Sequence, residues 1–395
     1  MTRSGLPIVG SITASDPIEA ASPSGLESLH ALARLPEDWQ QLLESLGERP
    51  YRAKQILNWV YQQRELDPQN MTNLSAALRE RLKPFIQPLA TVDIVKRASD
   101  GTRKLLLVFS DKTRVECVLI PMVPKTSWDA PFTEFDDEDD EPSEKQTRVT
   151  LCVSTQFGCA MGCVFCESGR AGLRRGLRAE EIVAQVLTAK GYLEPNEVLT
   201  NLVFMGMGEP FLNVDNVLAA ARRLPDLGIT HRRTTISTVG WIPGLKQFVD
   251  EIDVPIRLAL SVHAADPKLR SRLMPVNDRY PLEDVLELCR THHELTNRRV
   301  YIEYVMLAGV NDAPEQAREL AKLLGRTSFK VNLIPYNPTG SYGGSSRDTI
   351  AAFKAELDRA RVPATVRLTR GQDIAAACGQ LATAPRDRAQ KAVAG

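Results

Sequence analysis

The chain has no long hydrophobic run. Across 395 residues no apolar stretch reaches the roughly 18 residues that a membrane-spanning helix requires, so no membrane association is expected. The opening residues, MTRSGLPIVGSITASDP, break a short apolar patch at Pro7, Gly10 and Ser11, too soon for the about 7–15-residue core of a secretory signal. A cytoplasmic location follows as the expectation. Cysteine is scarce and its count is odd, seven, which argues against the paired framework of a secreted disulfide scaffold. Glycine (24) and proline (25) are at ordinary usage, excluding collagen-like and wholly low-complexity chains. Neither sign of charge is in excess, because the formal net charge is zero. That balance hides an asymmetry. Residues 131–146 (PFTEFDDEDDEPSEKQ) hold eight acids and one lysine, net −7, so the rest of the chain carries +7 and can face phosphates. What is present, 43% hydrophobic and 25% charged residues, suffices for one large core or two to three ordinary domains.

Residues 1–36, rich in Ser, Pro, Ala and Gly without a sustained period, read as a mobile tail. A helical module is expected over 37–90. Leu42, Leu43 and Leu46 share one face before Gly47, Ile56, Trp59 and Val60 stripe a second helix, and Leu78 and Leu82 face inward from a third. Short strands around Ile94, at 104–109 and at 115–120 form an expected β-hairpin linker over 91–130. The acidic stretch, 131–147, reads as a solvated insert. Over 148–384 short β-rich runs at 149–153, 201–205, 234–238, 256–262, 300–306, 331–335 and 365–369 alternate with helical stretches at 179–191, 214–224, 282–295 and 314–324. This alternation predicts an α/β fold with a parallel sheet, flat or closed into a full or partial barrel, with chemistry at the C-terminal strand ends. Residues 385–395 read as a second tail, and no internal repeat is found.

The first of those runs ends in Cys152, followed by Cys159, Cys163 and Cys166 in a C-x3-C-x2-C loop whose Gly158 and Gly162 permit left-handed turns. Three thiolates so spaced can converge on one metal centre. A structural zinc needs a fourth ligand, which His231, His263, His292 or Cys289 could supply only from afar. A four-iron cluster held by three thiolates leaves one iron open. The loop, with Phe165 inside it, resembles that of the radical S-adenosylmethionine (SAM) superfamily, in which the open iron chelates SAM. After the second run comes Gly206-Met207-Gly208-Glu209-Pro210. Its backbone groups and single carboxylate suit an ammonium group better than a phosphate, although by itself it could be a plain turn. Beside the cysteine loop it resembles the superfamily's GGEP motif.

Further segments narrow the resemblance: Arg52-Ala-Lys-Gln, Val115-Glu116-Cys-Val, Ser237-Thr-Val-Gly240, Ser261-Val262-His263, Asn332-Leu-Ile-Pro-Tyr-Asn337-Pro338 and Arg370-Gly-Gln-Asp-Ile-Ala-Ala-Ala-Cys378-Gly-Gln-Leu. Over about 37–384 the chain resembles the RlmN/Cfr family of radical SAM RNA adenine methyltransferases, and its ending is similar to the RlmN branch, which methylates carbon 2. The resemblance implies a partial (β/α) barrel with an N-terminal helical, RNA-binding domain. It implies a 4Fe–4S cluster on Cys159, Cys163 and Cys166 and two molecules of SAM per turnover. Gly208, Glu209, Ser237, Ser261, Val262, His263 and Asn337 would contact SAM. Cys378 would carry the methyl group, Glu116 would accept the carbon-2 proton, and Cys152 would resolve the adduct through a transient disulfide with Cys378. The substrate would be an adenine of large-subunit ribosomal RNA, with transfer RNA as a further candidate. Carbon 8, or another RNA for a divergent paralogue, is the alternative. A flavodoxin or ferredoxin would supply electrons to a monomeric enzyme. Cys117 and Cys289 match nothing in the family and read as structural. Arg49, Arg52, Lys54, Arg170, Arg174, Arg175 and Arg178 are candidates for tracking phosphates.

The chain departs from the family at Glu167-Ser168-Gly169, where Ala or Ser followed by Thr-Gly is usual. It departs again at Gly172-Leu-Arg-Arg-Gly176-Leu, and in the acidic insert between Glu116 and Cys152. A carboxylate beside the cluster is expected to alter local charge and disfavour reduction.

Overall fold

Three helices open the fold because the apolar positions of residues 37–85 recur at helical spacing. The computed structural model describes residues 29–122, 146–325, 327–340, 342–367 and 369–382. Residues 1–28 of the expected N-terminal tail, 131–145 of the acidic insert and the tail at 385–395 lie outside the described residues. Helix α1 (Pro36–Ser45) starts with proline and two acids in its first turn and stops where Gly47 takes a φ of +68°. Helix α2 (Arg52–Leu57) runs on into a π-type turn, Asn58–Gln62, in which Gln63 N–H reaches the Asn58 carbonyl (3.0 Å). The wider turn rotates the apolar stripe. Val60 and Tyr61 are buried, while Trp59 is half-exposed and donates to Asn73 Oδ1 (2.7 Å). Helix α3 (Ala76–Leu82) is capped by Ser75, whose hydroxyl accepts the Leu78 N–H.

The mobile tail expected up to residue 36 ends sooner. Ala31 and Leu32 are fully buried, and Ala31 N–H bonds to the Phe85 carbonyl (2.7 Å), so residues 29–35 belong to the helical module. Two short apolar residues without a period leave no sequence signal for that packing.

Ten strands form one sheet: β1 (Ala90–Arg97), β2 (Arg103–Phe109), β3 (Arg114–Pro121), β4 (Thr147–Cys152), β7 (Glu197–Phe204), β8 (Thr234–Thr238), β9 (Arg257–Ser261), β10 (Val300–Met306), β11 (Phe329–Pro335) and β12 (Ala364–Val366), in that spatial order. Strands β5 (Gln156–Phe157) and β6 (Arg175–Gly176) make a separate short ladder. From β4 to β12 every neighbouring pair is parallel. Among the described residues the sheet begins at β1 and ends at β12, so the wound α/β part is an open, partial barrel. Its strands are largely apolar and buried along nearly their whole length, as expected where both faces are covered. The connecting helices are α5 (Ala179–Lys190), α6 (Val214–Arg223), α7 (Ile242–Glu251), α8 (Pro267–Leu273), α9 (Leu282–Thr296), α10 (Pro314–Leu324) and α11 (Arg347–Arg359), with the short α4 (Glu167–Arg170) after the cysteine loop.

The segment read as a linker is not separate from this sheet. Strands β1 to β3 form an antiparallel meander, and β3 pairs with β4 so that Val118 faces Cys152. Helix α5 packs across all three. The helical module docks on the barrel through Arg223, which is 1% exposed, pairs with Asp226 (2.6 Å) and stacks over Tyr61 at 5.1 Å. Its Nε donates to the Tyr61 hydroxyl (3.3 Å), whose own proton goes to the Leu32 carbonyl (3.3 Å). Burial pushes the Tyr61 phenol up to about 12, keeping it neutral. Replacement Arg223→Ala is expected to cost about 2 kcal/mol in urea denaturation, reduced from the fully buried case because Asp226 stays partly hydrated. A loss below about 0.5 kcal/mol would mean that this contact does not hold the module in place.

Candidate active site

The site begins where β4 leaves the sheet. Residues 153–156 are stitched to the loop after β7: Gly206 N–H bonds to Val153 O (3.0 Å), Met207 N–H to Ser154 Oγ (3.0 Å), and Thr155 and Gln156 N–H to Met207 O (2.9 and 3.2 Å). Gly206 is required here, since a Cβ would sit 2.6 Å from Val153 O. Beyond the stitch the chain turns at Gly158 and Gly162, both in the expected left-handed region (φ +81° and +65°). A Cβ on Gly158 would lie 1.8 Å from the Gly172 carbonyl, which accepts the Cys159 N–H.

Cys159, Cys163 and Cys166 line one cavity of about 150 Å³ together with Gly208, Glu209, Ser237, Ser261, His263, Asn337 and Cys378. Val262 does not. It lies fully buried at the end of β9, its N–H bonded to Glu303 O (3.0 Å). Among the described residues no three His, Cys, Asp or Glu side chains close around a single-ion position. The fit of the loop to a larger inorganic cluster is seen at the sulfurs. Burial pushes all three thiols above their ordinary range, while the N–H groups of Ser168 and Gly169 bond Cys166 and the Met161 N–H bonds Cys159, favouring thiolate. Thiols that burial keeps protonated and that backbone donors nevertheless address are suited to a cationic partner, which removes the protons on binding.

Across the cavity Glu209 is 2% exposed and accepts from Thr238 Oγ1 (2.7 Å), Val239 N–H (2.9 Å) and Phe211 N–H (3.0 Å). Burial raises it to about 7. His263 holds a left-handed conformation (φ +58°), with its carbonyl bound by Asn311 and its Nδ1 accepting Val305 N–H (2.9 Å). Burial, then the charge of Arg270, lower it to about 3, so the ring is neutral and its proton sits on Nε2. Phe165 meets that ring edge-on at 4.8 Å. Arg270 is itself fully buried, bonded to the Val239 and Ser261 carbonyls and to Asn277 Oδ1. It thereby fixes the ends of β8 and β9 that frame the cavity.

Cys378 also lines an adjoining cavity of about 180 Å³, which has Cys152 in its wall. Its loop is seated on the cysteine loop by Glu167 N–H to Gly379 O (2.9 Å) and Ser168 Oγ to Leu381 O (2.8 Å). Asn337 accepts from Gln372 Nε2 (2.9 Å) and reaches the Cys378 carbonyl (3.4 Å). Glu116 lines neither cavity. It is buried on β3, with Oε1 on Lys104 (2.8 Å) and Oε2 accepting Ala382 N–H (3.0 Å). Cys117 and Cys289 are fully buried thiols in the core, pushed up by burial, Cys289 to about 12.

Two polar residues in the cavity wall escaped the sequence reading. Arg367 borders both cavities, and Glu303, paired with it at 3.7 Å, is held by Asn332 Nδ2 (2.9 Å). Arg367 stands just past β12, so its place at a C-terminal strand end was the available signal. Of the basic candidates, Arg175 is bound to Asp111 and Glu181, Arg178 to Glu180 and Glu181, and Arg170 to Glu167, while Arg52 bonds Gln55 and the Asn73 carbonyl. Arg49, Lys54 and Arg174 are exposed.

An open parallel barrel with a three-cysteine loop at its C-terminal edge defines a radical SAM enzyme, and the Radical SAM superfamily pattern matches residues 153–323. The ribosomal RNA large subunit methyltransferase N-terminal domain matches residues 35–87. A radical SAM methyltransferase from Sphaerobacter thermophilus has a similar structure, with TM-score 0.80 and 37% identity, covering 90% of this chain and 100% of that one. The dual-specificity RNA methyltransferase RlmN of Sorangium cellulosum (strain So ce56) is 44% identical over 374 residues, 89% of this chain and 95% of the relative. The chain belongs to the RlmN family of radical SAM RNA methyltransferases, which use a 4Fe–4S cluster and SAM.

Gly158→Ala combines a left-handed φ with a backbone collision and should cost about 2–4 kcal/mol while lowering iron per chain. Thermal unfolding with an iron assay tests this, and a variant of unchanged Tm and iron content would contradict the role given to the turn.

Proposed function

We propose that this enzyme methylates carbon 2 of an adenine in large-subunit ribosomal RNA, with transfer RNA as a second substrate, through a methyl group carried on Cys378. The observation that carries the reading is the position of Cys378, in the wall shared by the cluster cavity and the cavity containing Cys152. A thiol so placed can take a methyl group on one side and present it to a base on the other. The matched relative bears the RlmN name, which favours carbon 2 over the carbon-8 alternative.

Cys159, Cys163 and Cys166 would hold the cluster, which with bound SAM supplies one-electron cleavage and a hydrogen-abstracting radical. Glu209 would take the methionyl ammonium, since two of its three donors occupy Oε1 and the third bonds Oε2, leaving one lone pair on Oε2 to accept from it. Neutral His263, Ser237, Ser261 and Asn337 would orient the rest of SAM, with the Asn337 amide aligned by Gln372. Carbon 2 lies between two ring nitrogens and is electrophilic, so it cannot attack a methyl cation donor. A carbon carried on Cys378 Sγ avoids that polarity problem. Glu116 would then accept the carbon-2 proton, and Cys152 would attack Cys378 Sγ to free the product and leave a disulfide between them. We place the enzyme in the cytoplasm as a monomer reduced by flavodoxin or ferredoxin. Among the described residues no helix is long and apolar enough to cross a membrane. Exposed Arg49, Lys54 and Arg174 remain as phosphate contacts.

Nucleoside mass spectrometry of ribosomal and transfer RNA, from cells with and without the gene, should show 2-methyladenosine only where the gene is present. A change confined to 8-methyladenosine, or none in either, would overturn the assignment. Cys152→Ala should accumulate protein crosslinked to RNA, and free unmodified RNA with no adduct would count against Cys152 as the resolving thiol. Because Glu209 titrates near 7, the site loses its negative charge as pH falls. SAM affinity in equilibrium dialysis should drop about eightfold between pH 7.5 and 6, with Glu209→Gln weak and flat over that range. A wild-type profile as flat as the variant's would remove the ammonium role.

A further inference from the structure

Glu116 is gripped from two directions. On the antiparallel pair of β2 and β3, Leu106 stands opposite Glu116 and Lys104 opposite Val118, which makes Lys104 the diagonal neighbour of Glu116 on one face. Their side chains are 8% and 10% exposed, and Lys104 Nζ lies 2.8 Å from Glu116 Oε1. The same ammonium donates to the Ala375 carbonyl (2.9 Å), three residues before Cys378, while Glu116 Oε2 accepts the Ala382 N–H, four residues after it. A buried lysine is costly unless its charge is used. Here one ammonium serves both the carboxylate and the entry to the loop that bears Cys378.

We propose that Lys104 is a positioning residue for the methyl transfer, holding Oε1 of Glu116 so that Oε2 is aimed to take the proton from the base. The proposal rests on the reading of Glu116 as proton acceptor. With Oε1 held by Lys104, Oε2 is the oxygen that becomes available when the Ala382 N–H is released. The C–H bond of the base then breaks, its electron pair stays on the base, an O–H bond forms on Glu116, and Lys104 remains an ammonium throughout. Without Lys104 the carboxylate would lose the buried ion pair that fixes Oε1, and its orientation toward the base would be lost with it. Charging of Cys378 with methyl precedes this step and does not use Glu116, so the two half-reactions should respond differently.

The test uses the full chain with its cluster loaded and compares wild type, Lys104→Met, Lys104→Arg and Glu116→Gln. Three quantities are read: the mass of methyl on Cys378, 2-methyladenosine in the RNA, and covalent protein–RNA adduct on denaturing gels. Lys104→Met should charge Cys378 as wild type does, form product at least about tenfold more slowly and accumulate adduct, with Lys104→Arg restoring most of the rate. Product within about twofold of wild type, or loss of Cys378 charging in a folded variant, would overturn the role. Should Lys104→Met fail to fold, Lys104→Gln, which keeps a donor for Ala375 but no charge, is read against the same criteria. Glu116→Gln separates the two claims. If it turns over normally the acceptor reading fails, whereas adduct accumulation in Glu116→Gln with a normal Lys104→Met leaves that reading intact and removes only Lys104.

Discussion

The arrangement of this site depends on one contact between distant parts of the chain, the seating of the 371–382 loop on the cysteine loop. Glu167 N–H to Gly379 O and Ser168 Oγ to Leu381 O are two bonds across more than two hundred residues, and they bring Cys378 to the wall of the cavity that Cys159, Cys163 and Cys166 line. Glu167, Ser168 and Leu381 are buried, so their polar groups must be satisfied within the protein. The opposite flank of the loop is tied to β2 and β3 by Lys104 and Glu116, and its start by Gly371 N–H to Asp100 Oδ2 (2.9 Å). A single chain segment thus links the meander, the barrel and the cysteine loop.

That contact also gives the departure at Glu167 a structural setting. The residue is buried, its N–H seats the Cys378 loop, and its carboxylate meets Arg170 at 3.2 Å, which is in turn bonded to the Thr339 carbonyl. The extra negative charge beside Cys166 therefore arrives with a cation, although it adds to the burial that keeps that thiol above its ordinary range. Around the rest of the cavity polarity is set by burial in the same way. Burial raises Glu209 to about 7 against the opposing pull of its hydrogen-bond donors, and burial together with the neighbouring Arg270 keeps His263 uncharged. One acid able to ionise on demand and one neutral ring make a cavity that can accept a cationic ligand without a standing excess of positive charge.

Much of the fold was legible in the residues. Among the described residues the seven parallel strands lie where short β-rich runs were read, because strands covered on both faces are rich in β-branched and apolar residues. The helices of the first module were placed by their apolar spacing: Ile56 and Val60 are fully buried, and Trp59 packs partly buried against the core with its indole N–H turned out to Asn73. The strands before the barrel were read as a linker since local pattern cannot say what a strand pairs with, and β3 finds β4 only across the acidic insert. Several arginines read as free for phosphate are bound to acids of the fold, as Arg175 is to Asp111 sixty-four residues away.

The sequence alone determined the chemistry: three cysteines on one glycine-turned loop, a carboxylate in a glycine loop after the next strand, and a cysteine near the C-terminus are covalent facts whose spacing needs no tertiary knowledge. The tertiary structure decided which of these groups share a cavity, that Val262 and Glu116 stand outside it, and that Arg367, Glu303 and Lys104 belong to its surroundings. The division follows from range. Ligand spacing on a loop is set by bonds along the chain, whereas burial, ion pairing and the approach of one loop to another are set by packing between elements that the sequence lists far apart.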